Sequence, residues 1–583
     1  MRFFYHGHPD LPLVTFDVPQ HNFFTRGRLT MFLLVFTVVL GFVVARYAHA
    51  AWSQRREERL LSAESARRGC GAVPVMKKKG FLGFGRLIES IQATNNGQGP
   101  QYVVKAINEE MGENIHTVVV PIHDYKLLVT RDPANVQAML ATQSVDWDVG
   151  KHRNESWRPL FGDGVFTSRG EEWRHSRALL RPQFARDQIN DLELIERHCQ
   201  QLFCAIDRVA GSGGGTNWTV EFDLQPLFYN MALDITTELI YGYSVHLQNP
   251  SKRVKLPSLP GYGTPDREKI GMHMDAGKAW VETRGALWKY RWLLPTKQFH
   301  THCDAVHKYA EYFVILRLQR GDAYLSDLDN STSRGRYVFL HELAKLTQDP
   351  VELRSQTLNV LTAGRDTTAA LMGWVFYFLA RHPDVYLKLR AQVLDVFGRF
   401  DASAPAKLGF KDLRDRIPYA TCVINEVLRM APVIPLNERV ALRDTVLPRG
   451  GGPSGSEPVF VPKDRQVLIA AYAMTRRKDL WGEDVDVFRP ERWEEDGGRK
   501  FGFEFIPFGG GARQCLGRRF LPPFLLTPLS LLLSLLKHLS SLPVFSFTPR
   551  IFPPQHFRSL LSIRSRMRSN CPQNNSPGPL PPT

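Results

Sequence analysis

The chain has 583 residues, of which 43% are apolar, and this content supports a large core and excludes wholesale disorder. Its seven cysteines are odd in number and form no CxxC pair, which argues against a disulfide framework or a zinc module and for a reducing compartment. The net charge is +16 without a nucleic-acid motif, so we expect a membrane surface or an acidic protein partner and no nucleic acid.

The first predicted element is a transmembrane helix at 29–46, which follows a polar segment at 1–28. The run from Leu29 to Ala45 is almost unbroken apolar sequence and gives about 26 Å of helix, at the short end for a membrane span. A signal peptide is the alternative, but no small-x-small cleavage site followed by a disulfide-rich domain appears. Arginines are more numerous after the run than before it, which predicts a single pass with the rest of the chain in the cytoplasm. Met31 is an alternative start that keeps the anchor.

A basic linker at 47–80 comes next, and the sequence leaves open whether its lysines touch anionic headgroups or form a solvated loop. The β-branched runs 117–122 and 125–130 predict a short hairpin. Asp132 and Pro133 then cap a helix that is predicted to run through Met139. Helical periodicity dominates from there to about residue 430, so we expect a mainly α fold with a small β region.

Two of the predicted helices carry unusual polar residues. In the helix at 170–181, Trp173 and Arg177 lie one turn apart on one face, where an indole N–H and a guanidinium form a clamp for carboxylates. The helix that begins at Asp349-Pro350 and runs to about Ala380 contains Gly, Asp and two Thr at 364–368, which are unfavourable inside an apolar helix. We expect an inward hydroxyl there to bond a backbone carbonyl and open the helix by a bulge.

A glycine-rich loop from Phe508 to Gly517 contains the residue with the clearest chemistry, Cys515. Consecutive glycines let backbone N–H groups approach one atom closely, and N–H groups around a sulfur favour the thiolate. The nearby Arg513 adds positive charge. Such a cysteine is a nucleophile or a metal ligand, and the alternative is a buried structural cysteine beside a turn.

The spacing Phe-x-x-Gly-x-Arg-x-Cys-x-Gly resembles the haem-binding loop of the cytochromes P-450, with Phe508, Gly511, Arg513, Cys515 and Gly517 at its fixed positions. The resemblance implies the P-450 fold and haem b, with Cys515 as the axial thiolate of the iron. It further implies that Arg513 pairs with a haem propionate and that Phe508 shields the sulfur.

The resemblance also implies roles for motifs earlier in the chain. Trp173 and Arg177 match the second propionate clamp of the family. Asp366 and Thr367 match the pair that relays protons at the oxygen-activating helix, the alternative being a helix kink only. Glu426, Arg429 and Arg492 match the family's Glu-Arg-Arg core, whose role is structural.

Most of residues 70–520 are similar to the fungal P-450 group that hydroxylates n-alkanes and fatty acids, for example at 161–167, 178–186 and 437–452. This implies a catalytic domain at 81–520 that hydroxylates a long aliphatic chain at or near its end, with substrate contacts from 249–300, the oxygen-activating helix and the loop after 430. Nothing in the chain resembles a flavin or NADPH site, so electrons would come from a separate NADPH-cytochrome P-450 reductase. The implied location is the endoplasmic reticulum membrane.

The resemblance ends after Phe520. The segment 521–583 contains twelve prolines, and no Asp or Glu occurs after Glu504, where about eight are expected at the frequency of the whole chain. We interpret this tail as a gene-model artefact, with a genuine disordered tail as the alternative. Other activities left open are a haem-binding but inactive relative disabled by this tail, and a P-450 acting on sterols or xenobiotics. A rearrangement enzyme is disfavoured by the Asp-Thr pair.

Overall fold

A computed structural model describes residues 26–80, 83–122, 125–184, 191–210, 222–253, 255–324, 337–398, 415–495 and 501–519. The chain divides into two compact units, residues 1–68 and residues 69–583. The predictions for the polar segment up to residue 25 and for the tail at 521–583 lie outside the described residues.

In the described part of the first unit the chain forms helix α1 (Arg26–Arg67), which joins the predicted membrane segment and the predicted helical part of the linker. Several large apolar side chains of α1 are exposed, among them Leu34, Phe36, Val38 and Phe42. Within the described part of the chain, no helix combines the length and the apolar character that crossing a membrane requires. This finding gives the predicted anchor at 29–46 no support.

The second unit is mainly helical, as predicted. Its helices before the centre of the chain are α2 (Gly85–Asn95), α3 (Gly99–Met111), α4 (Pro133–Gln137), α5 (Lys151–Phe161), α6 (Gly170–Leu180), α7 (Leu192–Ala210), α8 (Gln225–Tyr241) and α9 (Ile270–Leu287). The later helices are α10 (Lys297–Arg320), α11 (Phe339–Leu343), α12 (Pro350–Arg381), α13 (Pro383–Phe397), α14 (Pro418–Met430), α15 (Ala471–Met474), α16 (Lys478–Trp481) and α17 (Arg492–Glu495).

Two small sheets complete the described part of this unit. Its strands are β1 (Thr117–Ile122), β2 (Tyr125–Thr130), β3 (Trp147–Asp148), β4 (Asn437–Ala441), β5 (Thr445–Gly451), β6 (Glu457–Val461) and β7 (Gln466–Ile469). The larger sheet has the order β1-β2-β7-β4-β3, and β5 pairs with β6 in the smaller one. Only β2 and β7 run parallel, and the antiparallel pair β1–β2 confirms the predicted hairpin.

Helix α12 lies at the centre of the packing. Its first half contributes Leu353, Leu358 and Leu361 to one buried apolar cluster, and its second half, from Ala369 to Leu379, belongs to another. The segment 362–368 lies between these two contributions, which frees its polar side chains for the site. Polar residues inside an otherwise apolar helix are thus placed where neither core needs a side chain.

The predicted helix starts are confirmed. The Asp132 carboxylate accepts hydrogen bonds from the N–H groups of Ala134 and Asn135, and Asp349 accepts one from Val351. The helix that we predicted to run through Met139 is α-helical only up to Gln137, and a π-helical turn at Ala138–Thr142 follows it. The bulge predicted in α12 is wrong, since the helix runs without interruption from Pro350 to Arg381. A single threonine back-bond is accommodated in an α-helix without opening it.

Candidate active site

The cysteine loop is a short irregular segment whose conformation depends on glycine. Gly511 has φ +64°, and a Cβ there would lie 1.5 Å from the carbonyl oxygen of Leu140. No other residue fits this close approach between the loop and the π-helical turn. The N–H of Cys515 donates to the carbonyl of Phe508 over 3.0 Å, which closes the loop. The ring of Phe508 is half-buried against the apolar cluster that includes the second half of α12.

The groups that face the Cys515 sulfur differ from those the sequence indicated. Protein packed around this side chain raises the pKa of the thiol, although the residue keeps an exposed surface. The backbone N–H groups of Gly517 and Arg518 and the charges of Arg177 and Arg518 oppose that rise in pKa. The donors thus follow the cysteine in the chain, whereas we expected the preceding glycines and Arg513 to fill this role.

Trp173 and Arg177 lie on α6 as predicted, with the guanidinium carbon of Arg177 5.7 Å from the centre of the indole ring. Arg177 also donates to the carbonyl of Gln514 over 2.9 Å, which ties α6 to the cysteine loop. The guanidinium of Arg513, which belongs to the loop, also stacks on the indole of Trp173, with its carbon 4.3 Å from the ring centre. Arg513 donates a hydrogen bond to the carboxylate of Asp148. The structure therefore brings the two predicted clamps together around one indole.

Two further arginines belong to this cluster, and sequence reasoning missed both. Arg153 on α5 and Arg439 on β4 are electrostatically coupled to Arg513, and burial together with these like charges lowers the pKa of Arg439 to about 10. Burial, together with the charges of Arg153 and Arg177, lowers the pKa of Arg513 to about 10. No sequence signal marked Arg439, because its strand Asn437–Ala441 carries polar or charged side chains at three of its five positions.

The cluster fits a dianionic group such as haem. The guanidinium groups of Arg153, Arg439 and Arg513 face two carboxylates, Asp148 and Glu438, and Arg177 lies close enough to Arg513 to add its positive charge. The cluster therefore has an excess of positive charge, which suits the two propionates of haem. The buried indole N–H of Trp173 has no hydrogen-bond partner among the described residues, so a donor is also provided.

Asp366 and Thr367 lie in the segment of α12 between the two apolar clusters. The hydroxyl of Thr367 donates to the carbonyl of Ala363 over 2.7 Å, as predicted for an inward hydroxyl. Asp366 accepts from Lys278 Nζ on α9 at 2.6 Å and from Arg365 at 2.9 Å. The sequence gave no sign of these partners, because α9 is far from α12 in the chain.

Gly364 has a packing role beside this pair. Its backbone lies so close to α8 that a Cβ would meet the side chain of Thr236 at 3.0 Å. Glycine at this position therefore lets α8 and α12 approach each other, which offsets its low helix propensity.

Glu426, Arg429 and Arg492 form one buried network, as their predicted structural role requires. Arg429 Nε and Nη2 donate to the Glu426 carboxylate over 2.9 and 2.8 Å, and both side chains are fully buried. Arg492 Nε lies 3.5 Å from the same carboxylate. The indole of Trp493 donates to Glu426 over 3.0 Å, and Arg429 also donates to the carbonyls of Thr475, Val485 and Val487. The network thus joins α14 to the segment that precedes the cysteine loop.

Comparison with known sequences gives matches over most of the chain. The cytochrome P450 family matches residues 90–534, which includes the first part of the predicted anomalous tail. Cytochrome P450 monooxygenase g430 of a Fusarium species is 38% identical over 491 residues, which cover 84% of this chain and 80% of the relative. Cytochrome P450 52A3-B of Candida maltosa is 39% identical over 451 residues, covering 77% of this chain and 83% of the relative.

The fold is also found among solved structures. The crystal structure of a cytochrome P450 (CYP102L1) is similar with a TM-score of 0.60, covering 79% of this chain and 93% of that chain. At 19% identity, this likeness shows the common fold alone.

Proposed function

The chain belongs to the cytochrome P450 family and is a haem-containing monooxygenase, and we propose that it hydroxylates a long aliphatic chain, an n-alkane or a fatty acid, at or near its end. The identity of 39% with cytochrome P450 52A3-B supports this substrate class, together with the resemblance to the fungal alkane and fatty-acid hydroxylases.

We assign Cys515 as the axial ligand of the haem iron. The observation that supports this assignment is the position of Cys515 next to Arg177, which links the cysteine loop to the positively charged cluster. Arg177, Arg513 and the indole N–H of Trp173 would hold the propionates. When bound, the haem supplies the activation of O2, chemistry for which proteins use cofactors. Gly517 and Arg518 then provide N–H groups that stabilise the sulfur as a thiolate.

Asp366 and Thr367 would deliver protons on the side of α12. The Thr367 hydroxyl is fixed by its bond to the Ala363 carbonyl and keeps lone pairs that accept a proton from a neighbouring donor. Asp366 would take a proton from the solvent, give it to the Thr367 hydroxyl as that hydroxyl releases its own proton to the O2 that is being reduced, and return to the carboxylate form. This sequence requires that the Asp366 carboxylate leaves Lys278, at least for part of each turnover.

Electrons would come from a separate NADPH-cytochrome P450 reductase. The residues after the cysteine are basic, with Arg518 exposed on the loop, and such a surface suits an acidic flavin domain. Mixing the purified protein with this reductase at rising salt should slow its reduction if the contact is electrostatic.

We also propose that α1 attaches the enzyme to the endoplasmic reticulum membrane, with the second unit in the cytoplasm. The exposed apolar side chains Leu34, Val35, Phe36, Val38, Leu40 and Phe42 need a lipid or protein environment. The full chain should remain in the pellet after alkaline carbonate extraction of microsomes, and a chain without residues 1–46 should be released. Release of the full chain would contradict this attachment.

The substrate class is tested by turnover. The purified protein with the reductase and NADPH should oxidise n-alkanes and long fatty acids at or near the end of the chain. Hydroxylation of sterols or aromatic compounds, with none of an aliphatic chain, would overturn the proposed substrate class.

A further inference from the structure

Four charged side chains join α9 to α12 beside the proposed proton relay. Asp275 and Lys278 belong to α9, and Arg365 and Asp366 belong to α12. Arg365 forms a two-point contact with Asp275, at 2.6 and 2.9 Å. Lys278 Nζ lies 2.6 Å from Asp366 and 3.0 Å from Asp275. Each cation in this group therefore contacts both carboxylates, and the four charges sum to zero.

The two cations differ in how firmly they are held. Arg365 is 4% exposed, its guanidinium carbon lies 4.9 Å from the centre of the Tyr229 ring, and its fork faces Asp275. Lys278 is a flexible chain with a compact charge, and its contact with Asp275 lies within α9, three residues apart. Burial opposes the ionisation of Asp275, but the hydrogen bonds and charges of Arg365 and Lys278 outweigh it and hold its pKa below the usual range.

From this arrangement we propose that Asp275 is a positioning residue for the proton relay: it keeps both Lys278 and Arg365 paired while Asp366 turns away from them toward Thr367. The proposal rests on the function assigned above to Asp366. When Asp366 leaves, Lys278 keeps its 3.0 Å contact with Asp275, and Arg365 keeps both of its own. No cation in the network is then left without a carboxylate, so the release of Asp366 avoids the cost of an unpaired, partly buried charge.

Without the carboxylate of Asp275, the positive charges of the network exceed its negative charges. In Asp275→Asn, Arg365 depends on the carboxylate of Asp366, and Lys278 is left with Asp366 as its hydrogen-bonded carboxylate and with the charge of Glu282 nearby, so both cations hold Asp366 on the α9 side. We expect product formed per NADPH consumed to fall about tenfold, equivalent to about 1.4 kcal/mol in the barrier. The solvent isotope effect on turnover should rise, because proton delivery becomes slower.

A second substitution distinguishes this role from a merely structural one. Lys278→Met in the Asp275→Asn background removes one of the two cations and restores a balanced Arg365–Asp366 pair. We expect the yield per NADPH to recover to within about threefold of the wild type, which is about 0.7 kcal/mol. The midpoint of thermal unfolding should also be higher in the double variant than in Asp275→Asn, since the excess charge is removed.

The matched control is Asp266→Asn. Asp266 and Lys269 lie just before α9 and form the same type of pair, three residues apart, with 3.6 Å between the charged atoms. Both side chains are exposed. Asparagine keeps the oxygen that accepts from the N–H groups of Glu268 and Lys269. This variant should match the wild type in yield and in unfolding midpoint.

Two measurements separate this proposal from the proposed function. A red-shifted carbon monoxide band and peroxide-driven hydroxylation by the wild type test the haem-thiolate assignment itself. Peroxide supplies the oxygen without reduction of O2, so Asp275→Asn should retain wild-type peroxide-driven activity. The proposal is overturned by an Asp275→Asn variant with wild-type yield, by a double variant that regains no yield, or by an equal loss of peroxide-driven activity.

Discussion

Trp173 is the residue that the two arginine clamps share, and its indole N–H is the group whose function is most specific. The ring would remain under Arg513 in Trp173→Phe, because the two aromatic rings are similar in shape, while the hydrogen-bond donor would be lost. We expect haem to dissociate about tenfold faster, which corresponds to about 1.4 kcal/mol. Transfer of haem to an apoprotein acceptor measures this rate.

The control for this prediction is Trp292→Phe, since Trp292 is 75% exposed. It should lose haem at the wild-type rate. Equal rates for the Trp173 variant and the wild type would remove the indole N–H from the proposed site.

His246 makes the stability of the protein sensitive to acid. Burial, and to a smaller degree the charge of His198, lower its pKa to about 4, compared with 6.5 in the unfolded chain. Between these values the unfolded state binds more protons, so the unfolding free energy falls as pH falls from 6.5 to 4. In His246→Asn, we expect the loss of stability between pH 7 and pH 4.5 to be about 2 kcal/mol smaller.

Asparagine suits this position because His246 has φ +52°, a conformation that asparagine tolerates. Denaturant unfolding at the two pH values measures the effect. The exposed His300→Asn serves as the control and should keep the wild-type dependence. An unchanged pH dependence in His246→Asn would show that other groups cause the acid sensitivity.

At the level of elements, Glu426 connects α14 to the segment before the cysteine loop. Glu426→Gln keeps the shape but leaves the buried charge of Arg429 without its carboxylate, while Arg492 keeps its pair with Asp484. We expect the unfolding free energy to fall by about 3 kcal/mol, because removing one partner of a buried ion pair leaves the other charge buried and uncompensated. Denaturant unfolding followed by fluorescence measures this change.

Glu494→Gln is the matched control, because Glu494 is 44% exposed and pairs with Lys388 at 3.3 Å on the surface. Its effect should stay within about 0.5 kcal/mol. Equal losses in the two variants would show that the buried network adds nothing beyond an ordinary surface pair.

How far the sequence predicts these elements depends on the range of the interactions. The caps at Asp132 and Asp349 and the hairpin β1–β2 involve neighbours in the chain, and each was predicted. The back-bond of Thr367 was predicted as well, whereas the predicted bulge was wrong, since the helix runs without interruption through this bond.

The parts of the site that sequence reasoning missed come from distant segments. Arg439 lies near Arg513, which is 74 positions later in the chain, and Lys278 contacts Asp366, which is 88 positions later. Single charged residues carry no pattern that pairs them with a partner so far away, so only the folded chain reveals these contacts. The donors to the Cys515 sulfur are an exception, because they are close neighbours that follow the cysteine, whereas we expected the glycines before it.

For the molecule as a whole, the site combines contributions from separate parts of the second unit. Helix α6 provides Trp173 and Arg177, the loop at 508–517 provides the cysteine, and α12 provides the proposed proton relay. Charge organises this assembly, since the cluster of arginines beside the loop is positive and the network between α9 and α12 is neutral. The first suits a bound dianion, and the second allows a carboxylate to change partner without leaving a charge unpaired.

The central claim is that Cys515 is the thiolate ligand of the haem iron, and the carbon monoxide spectrum of the reduced protein tests it most directly. The control is Cys422→Ser, which changes a cysteine on α14. The wild type and this control should both show a strongly red-shifted Soret band, because a thiolate ligand donates electron density to the iron. Cys515→Ser should bind haem through its propionate contacts but lack the red shift. A red-shifted band that persists in Cys515→Ser, or a wild-type protein that is loaded with haem and shows no red shift, would contradict the assignment.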